Sequence, residues 1–291
     1  VSESPRDIWR GILLVLLATA AFGWMDACSK TLAGRLDPVQ ILWVRYALSL
    51  PFVLLMAAPG GIVTTARSSR PWLQLARALL IVVEMTLVVA AYRTLPLADA
   101  HAIFAATPLM VTALSMPLLG ETVGWRRWLA VAIGMLGVLV IVRPGLGVAQ
   151  PGALLALLCA AMYAVYQIMT RIVGRTDSSR TTMLWQIAAG TLMLSLVGPW
   201  FWTAPTGVEW SLLLAIALLG LGGHWALVQA LSMAPAVVLQ PFSYAMLPWA
   251  ALAGWLVFGD LPDLWTVIGA LIVVGGGLYA AYRERVRAGL T

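Results

Sequence analysis

Charge is scarce in this sequence. Asp, Glu, Lys and Arg make up 10% of its 291 residues and hydrophobic residues 62%, where soluble domains carry about 25% and about 45 to 50%. Such a balance excludes an ordinary soluble fold and calls for lipid around most side chains. Cysteine is nearly missing: Cys28 and Cys159 are the only two, each inside an apolar run, so no disulfide framework or thiolate metal site is expected. Histidine is limited to His101 and His224, and no His-Glu-x-x-His helix, Gly-x-Ser-Gly setting or paired-aspartate site occurs, which argues against metal-dependent or intramembrane proteolytic chemistry. No metal, no cofactor and no enzymatic activity are expected. The net charge of +6 lies at the ends of apolar segments, not on a soluble surface, so nucleic acid is not an expected partner.

What is present is apolar sequence in pieces of membrane-spanning length, about 20 residues each. Gly, Pro and charge divide the chain into ten spans: 8–30, 38–58, 71–92, 97–119, 125–143, 151–173, 180–202, 210–232, 236–258 and 264–283. The first carries Asp26 and Lys30 in place of a small-residue cleavage site and is expected to stay as a helix. The chain also repeats itself. At an offset of 141, Gly11, Leu13, Leu14, Leu16, Leu17 and Ala20 match Gly152, Leu154, Leu155, Leu157, Leu158 and Ala161; at 139, Ala106, Gly120 and Gly137 match Ala245, Gly259 and Gly276. Two halves follow, 8–143 and 151–283, with no soluble domain. Placing the N-terminus in the cytoplasm puts twelve arginines on that side, against Lys30, Arg35, Arg93 and Arg143 on the other. This positive-inside bias needs an even span count. Five spans per half force the halves into opposite orientations, the arrangement that lets one scaffold open to either side.

Polar groups inside the spans mark candidate chemistry. Asp26 and Lys30 stand four residues apart, in the favourable order for a helical ion pair; Glu84, near mid-span, is expected to meet Arg45 or Arg77. Two roles stay open, internal ion pairs or a site in which Glu84 or Asp26 holds a substrate cation or coupling proton and Arg45 meets a carboxylate. The second half aligns neutral groups with these charges, Gln167 with Asp26 and Gln186 with Arg45, and adds His224, Gln240 and Tyr244. His101 and His224 read by default as packing residues. Pro108 and Pro117 in the fourth span answer Pro241 and Pro248 in the ninth; Pro108 frees the carbonyl of Phe104 and Pro248 that of Tyr244. Broken helices at corresponding positions point to a binding site. Trp24, Phe104, Tyr163, Tyr166, Trp225 and Tyr244 could line an amphipathic pocket. Gly134, Gly137, Gly269, Gly275, Gly276 and Gly277 suit close helix approach in the fifth and tenth spans.

The stretch 92–145 and its echo 258–284, with Gly120-Glu121, Gly259-Asp260, Lys30 and Arg45 in order, resemble the EamA repeat of the drug/metabolite transporter superfamily. The build is similar to bacterial amino-acid exporters of the YddG and RhtA type. Asp26-Ala27-Cys28-Ser29-Lys30 and Pro-Leu-Ala-Asp-Ala (96–100) also resemble a branch linked with S-adenosylmethionine-like and acyl-carnitine-like solutes. The resemblance implies an all-α integral membrane protein, with ten transmembrane helices as two inverted five-helix repeats around a central cavity. It implies alternating-access transport of a small molecule in a bacterial inner membrane, with both termini cytoplasmic. An amino-acid exporter is the leading expectation, S-adenosylmethionine-like solutes the alternative, and a passive channel the rival of another class; a monomer in the bilayer is the expected state.

Overall fold

A computed structural model describes residues 5–119, 124–143, 151–233 and 236–287. Gly120, Glu121 and the side chain of Gln240, singled out above, lie outside the described residues. The chain folds into helices α1 (Pro5–Ala33), α2 (Pro38–Ala57), α3 (Ile62–Ala66), α4 (Pro71–Ala91), α5 (Leu97–Phe104), α6 (Thr107–Leu119) and α7 (Trp125–Val142). The second half supplies α8 (Pro151–Val173), α9 (Ser179–Val197), α10 (Gly207–Met233), α11 (Ala236–Ser243), α12 (Met246–Phe258) and α13 (Leu264–Arg287). Among the described residues nine helical segments are long and apolar enough to cross a membrane, and the shorter apolar stretch Trp128–Val142 makes a tenth. The 18 residues of α7 rise about 27 Å, close to the thickness of a hydrocarbon core.

Local chemistry sets the starts and breaks. Pro38, Pro71 and Pro151 stand at first helical positions, where a missing N–H costs nothing. Asp37 caps α2 by accepting from Val39 N, and Ser178, its counterpart 141 residues on, caps α9 by accepting from Thr181 N. The fourth and ninth spans are broken where proline requires it. α5 stops at Phe104 and α6 resumes at Thr107; α11 stops at Ser243 and α12 resumes at Met246. Pro108 and Pro248 each sit in the first turn after the gap, while Pro117 and Pro241 lie within α6 and α11.

Helix packing carries the repeat into space. α1 packs on α10 as α8 packs on α4, α6 packs on α8 as α12 packs on α1, and the pairs α2 with α9 and α7 with α13 each map onto themselves. Exchanging the halves therefore preserves these pairings, while among the described residues α5 packs on α12 and α13 without an equivalent for α11 on α6 and α7. In the α7–α13 pair the backbones touch: a Cβ on Gly137 would lie 2.8 Å from the carbonyl oxygen of Gly269, and one on Gly276 would lie 3.0 Å from that of Ala130. Gly134 instead makes the notch for Leu109 of α6, and Gly275 faces open space.

Among the described residues, the loops that touch one another are of the same parity, which fixes alternate helix directions. At one end, here the Lys30 end, Lys30 Nζ reaches Asp260 Oδ2 at 3.0 Å and the Leu95 carbonyl at 3.2 Å. Arg35 pairs with Glu209 and Arg143 with Asp263, and the Gln40 amide exchanges two hydrogen bonds with the Thr203 backbone. The expected Asp26–Lys30 pair is thus replaced: Lys30 closes α1, where its long side chain reaches acceptors on two neighbouring loops. At the other end, the Asp177 end, Asp177 accepts from Ser68, from Ser69 N at 3.0 Å and from Gln74 Nε2 at 2.9 Å. Because α1 ends and α8 begins on the Lys30 side, the two halves are inverted.

Candidate functional site

A cavity of about 270 Å³ runs from Asp177 and Ser179 at one end inward to Arg45, Gly220 and His224. Its walls come from α2, α4, α8, α9 and α10. On one side Arg77, fully buried, spends its donors on both halves of the protein. Nη1 donates to Tyr166 Oη at 2.8 Å, Gln186 Oε1 at 3.0 Å and Thr170 Oγ1 at 3.4 Å. Nη2 reaches the Thr182 carbonyl at 2.7 Å, and both Nε and Nη2 donate to Gln74 Oε1. Gln74 in turn donates to Asp177, so a buried chain of hydrogen bonds links the mouth of the cavity to its wall. A buried guanidinium satisfied this fully is an element of structure.

Arg45 stands in contrast. It lines the same cavity, and among the described residues it has neither an ion pair nor a side-chain hydrogen bond. Gly220 makes room for it, since a Cβ there would meet Nη2 at 3.1 Å. His224 Nδ1 donates to the Gly220 carbonyl at 2.8 Å and its ring meets Phe22 edge-on at 5.0 Å. An unpaired cation in a membrane interior is costly, and this one faces open space.

The other buried charges gather beside the cavity. His101 Nε2 lies 3.2 Å from Asp26 Oδ2, a close approach too bent to be a hydrogen bond. The His101 ring packs edge-on against Phe104 at 5.7 Å and beside Tyr92. Glu84 is 6% exposed and pairs with neither Arg45 nor Arg77, the partners expected for it. Trp24 packs with Phe104 against the apolar cluster formed by α5, α7 and α8, and Gln167 is half-buried on α8. His101 thus stands against Asp26 where Lys30 was expected.

Of the expected site residues, the cavity brings together Arg45, Tyr166 and His224. Tyr163 stacks on Tyr166 with ring centroids 5.6 Å apart. Two aromatics point elsewhere. Trp225, 57% exposed, continues the outward stripe of Leu214 and Leu218 on α10, and a 3.6-residue period places all three towards lipid. Tyr244 puts its hydroxyl into the notch that Gly277 leaves on α13. The broken helices stand beside the cavity without lining it. Sequence reasoning missed Gln74, Thr170, Asp177 and Thr182; the signal available was Gln74 one turn before Arg77 on the same face, and a lone loop carboxylate among arginines.

The EamA-like transporter family matches residues 9–143 and 150–281, the two halves just described. The chain belongs to that family. It is a multi-pass membrane transporter of small metabolites. It is 29% identical over 290 residues to an S-adenosylmethionine uptake transporter of Rickettsia prowazekii (strain Madrid E), covering 98% of this chain and 97% of the relative. A riboflavin transporter of Vibrio cholerae is 30% identical over 91% of this chain and 90% of its own, and a pseudopaline exporter of Pseudomonas aeruginosa is 28% identical over 91% and 93%. A solved crystal structure with 18% identity aligns with a TM-score of 0.65, covering 95% of this transporter and 98% of that chain. It speaks for the fold alone.

Proposed function

We propose that the transporter moves, by alternating access, a solute with an α-amino-acid end, whose carboxylate binds Arg45 in the cavity. The observation that carries this reading is the unpartnered guanidinium at the inner end of an otherwise satisfied polar cavity. A carboxylate matches a guanidinium fork in two parallel hydrogen bonds and would neutralise a charge that the low-dielectric interior penalises. Tyr46 and Tyr166, which line the cavity, would accommodate the body of the solute. S-adenosylmethionine is the first candidate, because it carries such an end and because relatives covering nearly the whole chain are named for its uptake. Free amino acids are the second, favoured by the 270 Å³ cavity, which is small for a ligand site. The inner membrane of a bacterium is the proposed location.

Proteoliposomes preloaded with unlabelled solute provide the test. Saturable counterflow of labelled S-adenosylmethionine is expected, with competition by any amino acid that shares the site. Arg45→Gln should weaken binding about 10- to 100-fold, the worth of a charge-assisted pair. Flux that neither saturates nor shows counterflow would mean a channel, and full activity in Arg45→Gln would remove the carboxylate assignment.

A further inference from the structure

Gly220 of α10 lies between two polar side chains. A Cβ there would meet Nη2 of Arg45, from α2, at 3.1 Å and its Nε at 3.4 Å. The Gly220 carbonyl oxygen lies 2.8 Å from His224 Nδ1, one turn further along the helix. Guanidinium and imidazole thus meet over one residue, and both line the cavity. Phe22 of α1 braces the imidazole edge-on at 5.0 Å, seated against Gly223, where a Cβ would lie 2.7 Å from its Cε1. The hydrogen bond decides the tautomer. A carbonyl oxygen only accepts, so Nδ1 carries the hydrogen and Nε2 keeps a lone pair. No described carboxylate pairs with the ring to hold a second proton beside the Arg45 charge. Among the described residues nothing donates to Nε2, and it is not enclosed. Neighbouring acceptors are already engaged: Gln186 Oε1 by Arg77 and Tyr166, the Thr182 carbonyl by Arg77, and Asp177 by Ser68, Ser69 and Gln74.

We propose that His224 is a specificity-determining residue, whose Nε2 accepts a hydrogen bond from the α-ammonium group of the transported solute. This rests on the reading of Arg45 as the partner of the solute carboxylate. In an α-amino acid the two groups hang from one carbon, so recognising both takes donors and an acceptor side by side. Arg45 and His224 supply these across Gly220. The neutrality of the acceptor matters. A carboxylate beside Arg45 would take the guanidinium for itself, as Asp260 takes Lys30, whereas a neutral imidazole accepts from an ammonium and leaves the guanidinium to the solute. A solute without the amino group sets bare carbon against Nε2, which is then desolvated and unpaired. His224 therefore separates amino acids from simple carboxylic acids, a distinction Arg45 alone does not make.

Equilibrium binding to the purified transporter in detergent tests this with two matched pairs: S-adenosylmethionine and methionine, each against the analogue in which hydrogen replaces the α-amino group. The wild type should bind the amino member about 10- to 100-fold more tightly, the worth of a hydrogen bond to a charged group. His224→Phe keeps a ring against Phe22 and lacks the acceptor. In that variant the preference should shrink to within about twofold, through loss of affinity for the amino member. Arg45→Gln should weaken both members. Equal affinities within each pair in the wild type overturn the assignment of His224 alone, with no variant needed; so does a preference in His224→Phe as large as that of the wild type. Full affinity of Arg45→Gln for both members, or a wild type that binds neither pair, overturns the reading of Arg45 and this assignment with it.

Discussion

Arg45 and Arg77 are the same side chain in membrane-spanning helices of the same half, and their surroundings give them opposite work. Arg77 is enclosed by acceptors from α4, α8 and α9, so replacing it strands Gln74 Oε1 without its donor and leaves Tyr166 and Gln186 only the bond between them. Arg77→Met is expected to cost about 3 kcal/mol, the scale for breaking a buried charged network, and to lower the thermal midpoint in detergent. Arg45→Met should leave the midpoint unchanged or raise it, while abolishing any rise on adding S-adenosylmethionine. Equal destabilisation by the two substitutions would contradict the contrast. The depth of both arginines is readable in the sequence, but their difference is not. It depends on partners about 90 to 110 residues away, such as Tyr166 and Gln186, and spacing along one helix carries no information about them. The same blindness produced the Asp26–Lys30 expectation. Trp225 differs, because the stripe it shares with Leu214 and Leu218 was there to be read.

At the scale of elements, the two ends are fastened by equivalent loops with unlike chemistry. The loop after the first helix of each half grips the start of the third helical span of the other half: Arg35 holds Glu209 at one end, and Asp177 holds Ser68 and Ser69 at the other. Behind the first clasp lies an apolar cluster that includes Leu32, Leu36, Ile41, Leu213 and Ile216, and behind the second lies the Arg77 network. Water can replace the hydrogen bonds of the second when it opens, while opening the first exposes apolar surface. The Asp177 end is therefore the easier to open. Burial pushes the Asp177 carboxyl up, but hydrogen bonds from Ser68, Gln74, Ser69 N–H and Thr176 outweigh it and hold it below the usual carboxylate range. A carboxyl held low contributes fully above its unfolded value of about 3.9 and loses that contribution as pH falls through the lower folded value. Hydrogen exchange at Ser69 N–H, corrected for its intrinsic pH dependence, should stay slow from neutrality to about pH 4 and accelerate below. Asp177→Asn should accelerate it at neutral pH; no change would show that the clasp does not protect this loop. The helix breaks at Phe104 and Ser243 were legible because proline acts on its own preceding turn. The clasps were not, because they form between halves.

For the whole molecule, the repeat settled the architecture in advance, since ten spans in two odd-numbered halves allow only opposed orientations. The charge count gains a reason from the structure. At the Lys30 end each basic residue is answered: Lys30, Arg35 and Arg143 by carboxylates, and Arg93 by the backbone carbonyls of Ala33 and Leu36. Those charges are neutralised where they stand, and the arginine-rich Asp177 end is expected to face the cytoplasm. With Cys28 and Cys159 replaced, an impermeant thiol reagent applied to intact cells should label Leu261→Cys and should label Arg180→Cys only after permeabilisation. The reverse pattern would invert the topology.

The glycine crossing of α7 and α13 has a mechanical meaning. This pair maps onto itself when the halves are exchanged, so it lies on the axis relating them, and at Gly137 and Gly269 main chain meets main chain. Such a contact has no rotamers to take up slack. We expect it to serve as a fulcrum, about which a tilt that parts the loops at one end presses together those at the other. A lever of this kind has no position in which both ends stand open, and a membrane that must hold its gradients needs that of every carrier in it.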